Sequence, residues 1–159
     1  MKRIAKLTSL FFLSFFAIKL PAQTLRELRP LKVGDKIPDI PLVNIFRHQN
    51  TNGGTLLGEF GGKPLIIDRW NTACPPCVEA LPLMDSIQKE NAGKLNILLV
   101  NSWLDRTQKL DLVKNFLNTN PYLKNVTLPT TIMDSVMAKL FPGVPYQVWI
   151  YQNGIGRSI

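Results

Sequence analysis

The chain has 159 residues, which is enough for one domain with a hydrophobic core of its own. Its composition, 45% hydrophobic and 19% charged, excludes a disordered or low-complexity protein. The net charge of +8 does not indicate nucleic-acid binding, because the basic residues are scattered singly and form no stripe with interleaved aromatic residues.

The first 22 residues have the pattern of a secretory signal peptide. Lys2, Arg3 and Lys6 precede an apolar run over residues 7–18, and Ala22 is a small residue suited to cleavage before Gln23. The run is shorter than the roughly 20 residues that span a bilayer, although an uncleaved membrane anchor stays an alternative. We expect a signal peptide over residues 1–22 and one domain over residues 23–159.

The mature chain opens with a Gly-, Pro- and Asn-rich lead-in, for which we expect one or two short strands near residues 37–43 and 55–57. The apolar residues 65–70 then predict a buried parallel strand. Apolar residues at helical spacing predict a helix from Cys77 to about Glu90, kinked at Pro82.

The second half of the chain repeats the strand-then-helix order. Residues 95–103 predict a second core strand, and a helix is expected from near Asp105, so the two strands should be parallel. A loop over residues 119–129 and a short helix near residues 135–141 follow. An Asn-Gly turn between residues 146–151 and 155–159 predicts a final hairpin.

The chain's two cysteines, Cys74 and Cys77, stand two residues apart, directly after the first core strand. At a helix N-terminus the amide groups and the helix dipole favour a thiolate, so Cys74 is the better nucleophile. The alternatives are a small permanent disulfide or half of a zinc site, but structural zinc takes four ligands and His48 is distant. The spacing therefore predicts dithiol redox chemistry without a metal.

This order of elements, with Cys-x-x-Cys after the first core strand, resembles thioredoxin, and more closely the exported thiol–disulfide oxidoreductases of the TlpA/ResA type. Four segments carry the resemblance in the right order: residues 33–40 (VGDKIPDI), 62–65 (GKPL), 70–77 (WNTACPPC) and 143–145 (GVP). The resemblance implies an α/β thioredoxin-like fold with a βαβαββ core and an N-terminal extension. It implies no cofactor beyond the Cys74–Cys77 couple.

Three positions depart from the family pattern. Ala73 stands where the family has an aromatic residue, so one wall of the substrate surface is expected to be missing. Glu79 lies two residues after Cys77, where the family has its Glu three after, and we assign it no role. The chain stops at Ile159, where related domains add a last helix. We expect either a fragment or a fold that is closed by other means.

The resemblance also implies the catalytic roles. Cys74 attacks a partner's disulfide and Cys77 resolves the mixed disulfide. Asp68, six residues before Cys74, has the offset of the buried acid of thioredoxin and is expected to exchange a proton with Cys77. The alternative is a carboxylate that points outward and pairs with Arg69 at the surface.

Trp70, Val144 and Pro145 are the predicted substrate-binding residues. Trp70 is expected to pack beside the cysteines, with a plain core aromatic as the alternative. Pro145 matches the proline that is cis in these folds, in a loop that binds an extended client chain through its backbone.

We therefore expect a thiol–disulfide oxidoreductase that reduces exported client proteins in the periplasm and is recharged by a membrane thiol donor. The direction of electron flow and the oligomeric state stay open. A peroxiredoxin needs Thr or Ser three residues before its attacking cysteine, where Asn71 stands, and a copper chaperone adds a distal His that is missing here. The remaining alternative is a redox-inert binding module or a truncated thioredoxin-fold remnant.

Overall fold

A mixed sheet of six strands forms the centre of the computed structural model, which describes residues 29–48, 55–101, 109–143, 148–152 and 155–158. The strand order across this sheet is β2-β6-β5-β4-β7-β8, and β1 pairs with β3 in a separate two-stranded sheet. The strands are β1 Pro41–Leu42, β2 Ile45–Phe46, β3 Thr55–Leu56, β4 Leu65–Trp70, β5 Asn96–Asn101, β6 Thr130–Thr131, β7 Val148–Gln152 and β8 Ile155–Ser158. The helices are α1 Pro75–Glu90, α2 Leu110–Thr119 and α3 Ser135–Leu140, and a short 3-10 helix covers Leu57–Phe60.

The two predicted core strands are confirmed at the centre of the sheet. β4 runs parallel to β5 on one side and antiparallel to β7 on the other. The predicted hairpin is confirmed as well, since β7 and β8 pair antiparallel. This arrangement explains why four of the six residues of β4 are apolar and why its two charged residues, Asp68 and Arg69, are buried as well, because β4 has neighbours along both edges and is covered on both faces.

Successive side chains of β4 point to opposite faces of the sheet and enter two separate cores. Leu65 and Ile67 pack with the 3-10 helix and α3 on one face. Ile66 and Trp70 pack with α1 and α2 on the other face, in a cluster that includes Cys77. The face that carries α1 and α2 is therefore the face that carries the dithiol.

Helix α1 begins two residues earlier than predicted. It starts at Pro75, because proline lacks the N–H that the first helical positions leave unused and has a φ suited to them. Pro82 lies inside the helix as expected. Helix α2 begins at Leu110 rather than near Asp105 and has Val113 and Leu117 in the core, and α3 matches the predicted short helix.

Two short strands were missed by the sequence analysis. β6 lies parallel to β5, and β2 pairs antiparallel with β6 at the sheet edge. Each has two residues, which is too short for an alternating pattern to appear in the sequence. Within the described ranges, no helix is long and apolar enough to cross a membrane.

Candidate active site

Cys74 and Cys77 form a disulfide at the start of α1, with the sulfurs 2.07 Å and the Cα atoms 5.3 Å apart. Cys74 is the residue that precedes the helix, and its carbonyl accepts the first helical hydrogen bond from the Val78 N–H at 3.1 Å. The predicted placement of the pair at a helix N-terminus is confirmed.

The two cysteines differ in exposure. Cys77 is buried, with 4% of its surface accessible, whereas Cys74 is partly exposed and its neighbours Ala73, Pro75 and Pro76 are exposed. A partner's sulfur can therefore approach Cys74 from solvent, while Cys77 lies behind it. This asymmetry is the one that an attacking and a resolving cysteine require.

The turn before Cys74 is held by Asn71, which the sequence analysis did not single out as a functional residue. The Ala73 N–H donates to the Asn71 side-chain oxygen at 2.9 Å, and the Cys74 N–H donates to the Asn71 carbonyl at 3.3 Å. Asn side chains often accept a hydrogen bond from the backbone two residues further on and so stabilise turns. The position of Asn71 between a predicted strand and a predicted helix could therefore have indicated this role.

Pro75 and Pro76 occupy the first two positions of α1 and have no N–H groups. The first helical amide is therefore that of Cys77, and the next, of Val78, already donates to the Cys74 carbonyl. The stabilisation that a helix start offers to a Cys74 thiolate thus falls mainly on the Cys77 N–H and on the dipole of the whole helix.

Asp68 lies in β4 and is 6% exposed. Burial raises its pKa to about 6, because an ionised carboxylate loses its hydration there. Ile66 and Trp70, two positions to either side, belong to the core that contains Cys77, so the alternation of the strand places Asp68 on the same face. Arg69 is fully buried too, which rules out the alternative of a surface pair.

Trp70 is fully buried in the core that contains Cys77, and its indole N–H donates to the Thr130 hydroxyl at 3.3 Å. Trp70 is therefore a core aromatic residue, as the alternative expected, and it shares its core with Cys77. A direct contact between Trp70 and a client stays a prediction, and full burial weighs against it. Thr130 was not predicted as a site residue, because the strand that carries it, β6, was not predicted either.

The remaining residues that were named from the sequence lie partly outside the described residues. Val144 and Pro145 lie outside them. Glu79 is exposed on α1. The His48 ring contacts Phe60, with the ring centroids 5.4 Å apart. In the described part of the chain, no three His, Cys, Asp or Glu side chains come together as they would to hold a metal ion.

The sheet order and the disulfide at the start of α1 define a thioredoxin-like fold. Among curated proteins, the chain is similar to the thioredoxin-like protein YneN of Bacillus subtilis (strain 168), with 31% identity over 71 residues. That match covers 45% of this chain and 39% of YneN, so it spans about two fifths of the relative's length. No family model matches the chain.

Solved structures share the fold over most of the chain. A Chlorobium tepidum protein, provisionally named thiol:disulfide interchange protein DsbE, has a TM-score of 0.60 at 23% identity, covering 79% of this chain and 82% of its own. The exposed lipoprotein thioredoxin Etrx1 of Streptococcus pneumoniae strain TIGR4 has a TM-score of 0.60 at 20% identity, covering 77% and 86%. The predicted resemblance and fold class are confirmed.

Proposed function

We propose that this protein is a thiol–disulfide oxidoreductase that uses Cys74 and Cys77 as its redox couple. The observation that carries the proposal is the disulfide at the start of α1, with the first cysteine partly exposed and the second buried. The thioredoxin-like fold supports it, because solved structures with this fold are named as a thiol:disulfide interchange protein and as a thiol-disulfide oxidoreductase.

The reaction transfers two electrons from the dithiol to a client disulfide. The Cys74 thiolate attacks one client sulfur, a mixed disulfide forms, and the other client sulfur leaves as a thiolate. The Cys77 thiol then loses its proton and attacks the Cys74 sulfur, which breaks the bond to the client. The client leaves reduced, both of its sulfurs end as thiols by taking up protons, and the enzyme holds the Cys74–Cys77 disulfide.

Asp68 is the proposed acceptor of the Cys77 proton. A carboxyl whose pKa is about 6 is largely ionised at neutral pH, yet it binds a proton more readily than an exposed carboxyl does. Its position on the same face of the sheet as Cys77 supports this role.

Export and the choice of client belong to the same proposal. Residues 1–22 act as the signal peptide, the domain over residues 23–159 acts in the periplasm, and a membrane thiol donor recharges it.

Val144 and Pro145 bind the extended client chain beside the disulfide. The carboxyl ends of β4 and β5, where Cys74 follows, are where ligands of α/β proteins usually bind, which supports a client surface there.

The test is an equilibrium redox titration of the protein over residues 23–159, followed by tryptophan fluorescence and by thiol labelling. A reversible two-electron transition near or below about −250 mV identifies a reductant, and one near about −120 mV identifies an oxidant. A folded chain without any reversible transition would overturn the proposal and leave a redox-inert binding module.

A further inference from the structure

Asn101 is a buried amide side chain whose function the reaction above does not explain. It is the last residue of β5, lies directly opposite Trp70 and has no exposed surface. Neither its side-chain oxygen nor its nitrogen has a hydrogen-bond partner among the described residues. Buried amides are almost always hydrogen-bonded, because an unpaired one loses its bonds to water without replacement. The amide of Asn101 can therefore form hydrogen bonds with a further polar group.

The register of the sheet places Asn101 close to Asp68. Asp68 lies opposite Leu99 in the parallel pair of β4 and β5, two positions before Asn101. Leu99 and Trp70 both belong to the core that contains Cys77, so Asp68 and Asn101 lie on that same face. With adjacent strands about 4.8 Å apart and a rise of about 3.3 Å per residue, such diagonal positions are about 8 Å apart, a span that two side chains and one water can bridge.

Among the described residues, no side chain or backbone group donates a hydrogen bond to the Asp68 carboxyl. Burial raises its pKa. An amide can donate to and accept from a water, and a carboxylate can accept from the same water. The Asn101 amide and the Asp68 carboxylate, on the same face of the sheet, can thus both form hydrogen bonds to one water.

We propose that Asn101 is a positioning residue that holds a buried water next to Asp68, and that the proton of Cys77 passes through this water. The inference rests on the proposed function. In the second step of the reaction the Cys77 thiol gives its proton to the water, and the water gives a proton to the Asp68 carboxylate. The Cys77 sulfur then forms its bond to Cys74 while the bond between Cys74 and the client breaks.

Few charged groups compete for this proton. The Asp85 carboxylate of α1 is paired with Lys89 and accepts hydrogen bonds from the Thr127 amide and hydroxyl. β5 has no charged residue, and neither does β7. The remaining charged residues of the two helices on this face are exposed or half-buried: Glu79 and Glu90 of α1, and Asp111 and Lys114 of α2.

The test compares Asn101→Leu with Thr131→Val in the chain over residues 23–159. Thr131 is also fully buried, and its hydroxyl also lacks a partner in the described structure. It lies beside Thr130, whose hydroxyl accepts from Trp70, so alternation directs Thr131 to the opposite face. The control therefore removes another buried polar group without a described partner, on the face of the sheet away from the dithiol.

Each reduced variant is mixed with a nitrophenyl disulfide that releases one coloured thiolate when Cys74 attacks and a second when Cys77 resolves. Asn101→Leu should slow the second release by roughly tenfold or more while leaving the first within about twofold. In the wild type the second rate should rise with pH through the titration of Asp68, and this dependence should be lost in Asn101→Leu. Thr131→Val should resemble the wild type in both phases.

A double variant separates a shared water from a local packing defect. Asp68→Asn combined with Asn101→Leu should be no slower than Asp68→Asn alone, because both changes interrupt one proton path. If Asn101→Leu does not fold, Asn101→Ser takes its place, with an expected slowing of about threefold in the second phase. A second phase at the wild-type rate, or equal slowing of both phases, would overturn the role of Asn101. A wild type without any second release would instead overturn the proposed function.

Discussion

At the residue scale, the different exposure of the two cysteines supports the different roles proposed for them. Cys74→Ser removes the accessible sulfur, so we expect disulfide reduction to fall to the background rate. Cys77→Ser leaves the attack intact but removes the buried resolving thiol, so mixed disulfides with clients should accumulate. Non-reducing electrophoresis and mass spectrometry detect these adducts. Ala80→Ser, an exposed change on α1, serves as the control. Full turnover by either cysteine variant contradicts the assignment.

Asp68 makes the stability of the oxidised protein dependent on pH. Its pKa is about 6 in the folded chain against an ordinary value of 3.8, so the folded state holds the proton more tightly than the unfolded state. The contribution of the protonated carboxyl to stability is complete below about pH 4 and is lost as pH rises through about 6. Urea unfolding at pH 4 and at pH 7.5 measures this loss, which we expect to be on the order of 2–3 kcal/mol.

Asp68→Asn should remove most of that pH dependence and stabilise the fold at neutral pH, because a neutral amide replaces a buried charge. The same exchange at Asp39, which is exposed, should leave the pH dependence in place. An unchanged slope in Asp68→Asn would mean that another group carries it.

Residues whose proposed chemistry is visible in a short segment can be predicted from the sequence. Cys74, Cys77 and Asp68 stand at fixed offsets around one strand and one helix start, and local patterns specify such positions. Thr130 contacts Trp70 from a different strand, and the role proposed for Asn101 depends on its position opposite Trp70 in the pair of β4 and β5. Those contacts depend on sheet register, which a single sequence does not display at isolated polar positions.

At the scale of elements, Asp134 joins the lead-in to the second half of the domain. One carboxylate oxygen accepts from the Val136 and Met137 N–H groups at the start of α3, and the other accepts from the Val43 N–H. Asp134→Ala should lower the free energy of unfolding by about 2 kcal/mol, because it removes a helix cap and leaves a buried amide unpaired. Thermal unfolding measures this change.

Asp111→Ala is the matched control for that measurement. Asp111 lies in the first turn of α2 and is exposed, with no cap hydrogen bond at that helix start. We expect a change within about 0.5 kcal/mol for it. Equal effects of the two substitutions would show that the cap of α3 adds nothing special.

The long elements were predictable and the short ones were not. β4, β5 and α1 have enough residues for burial on two faces or on one helical stripe to leave a pattern. β2 and β6 exist because the sheet edge supplies partners, and Arg47 helps to fix that edge by donating to the carbonyls of Leu117 and Leu123. Contacts of this kind join residues far apart in the sequence and produce no periodic pattern of apolar residues.

At the scale of the whole molecule, export is the property that residues 1–22 predict. Expression of the full chain in a Gram-negative bacterium should yield a periplasmic protein whose first residue is Gln23, as read by N-terminal sequencing. Replacing Ala22 by Arg should block cleavage and retain the longer form. A cytoplasmic product that still begins at Met1 would contradict the prediction.

The position of β4 between β5 and β7 has a consequence for measurement. Its amide hydrogens are bonded to neighbours on both sides, so they should exchange with deuterated solvent only through global opening of the domain. Their exchange rates then report the free energy of that opening in each redox state separately. The difference in this free energy between the oxidised and the reduced protein measures how much the Cys74–Cys77 disulfide stabilises the fold.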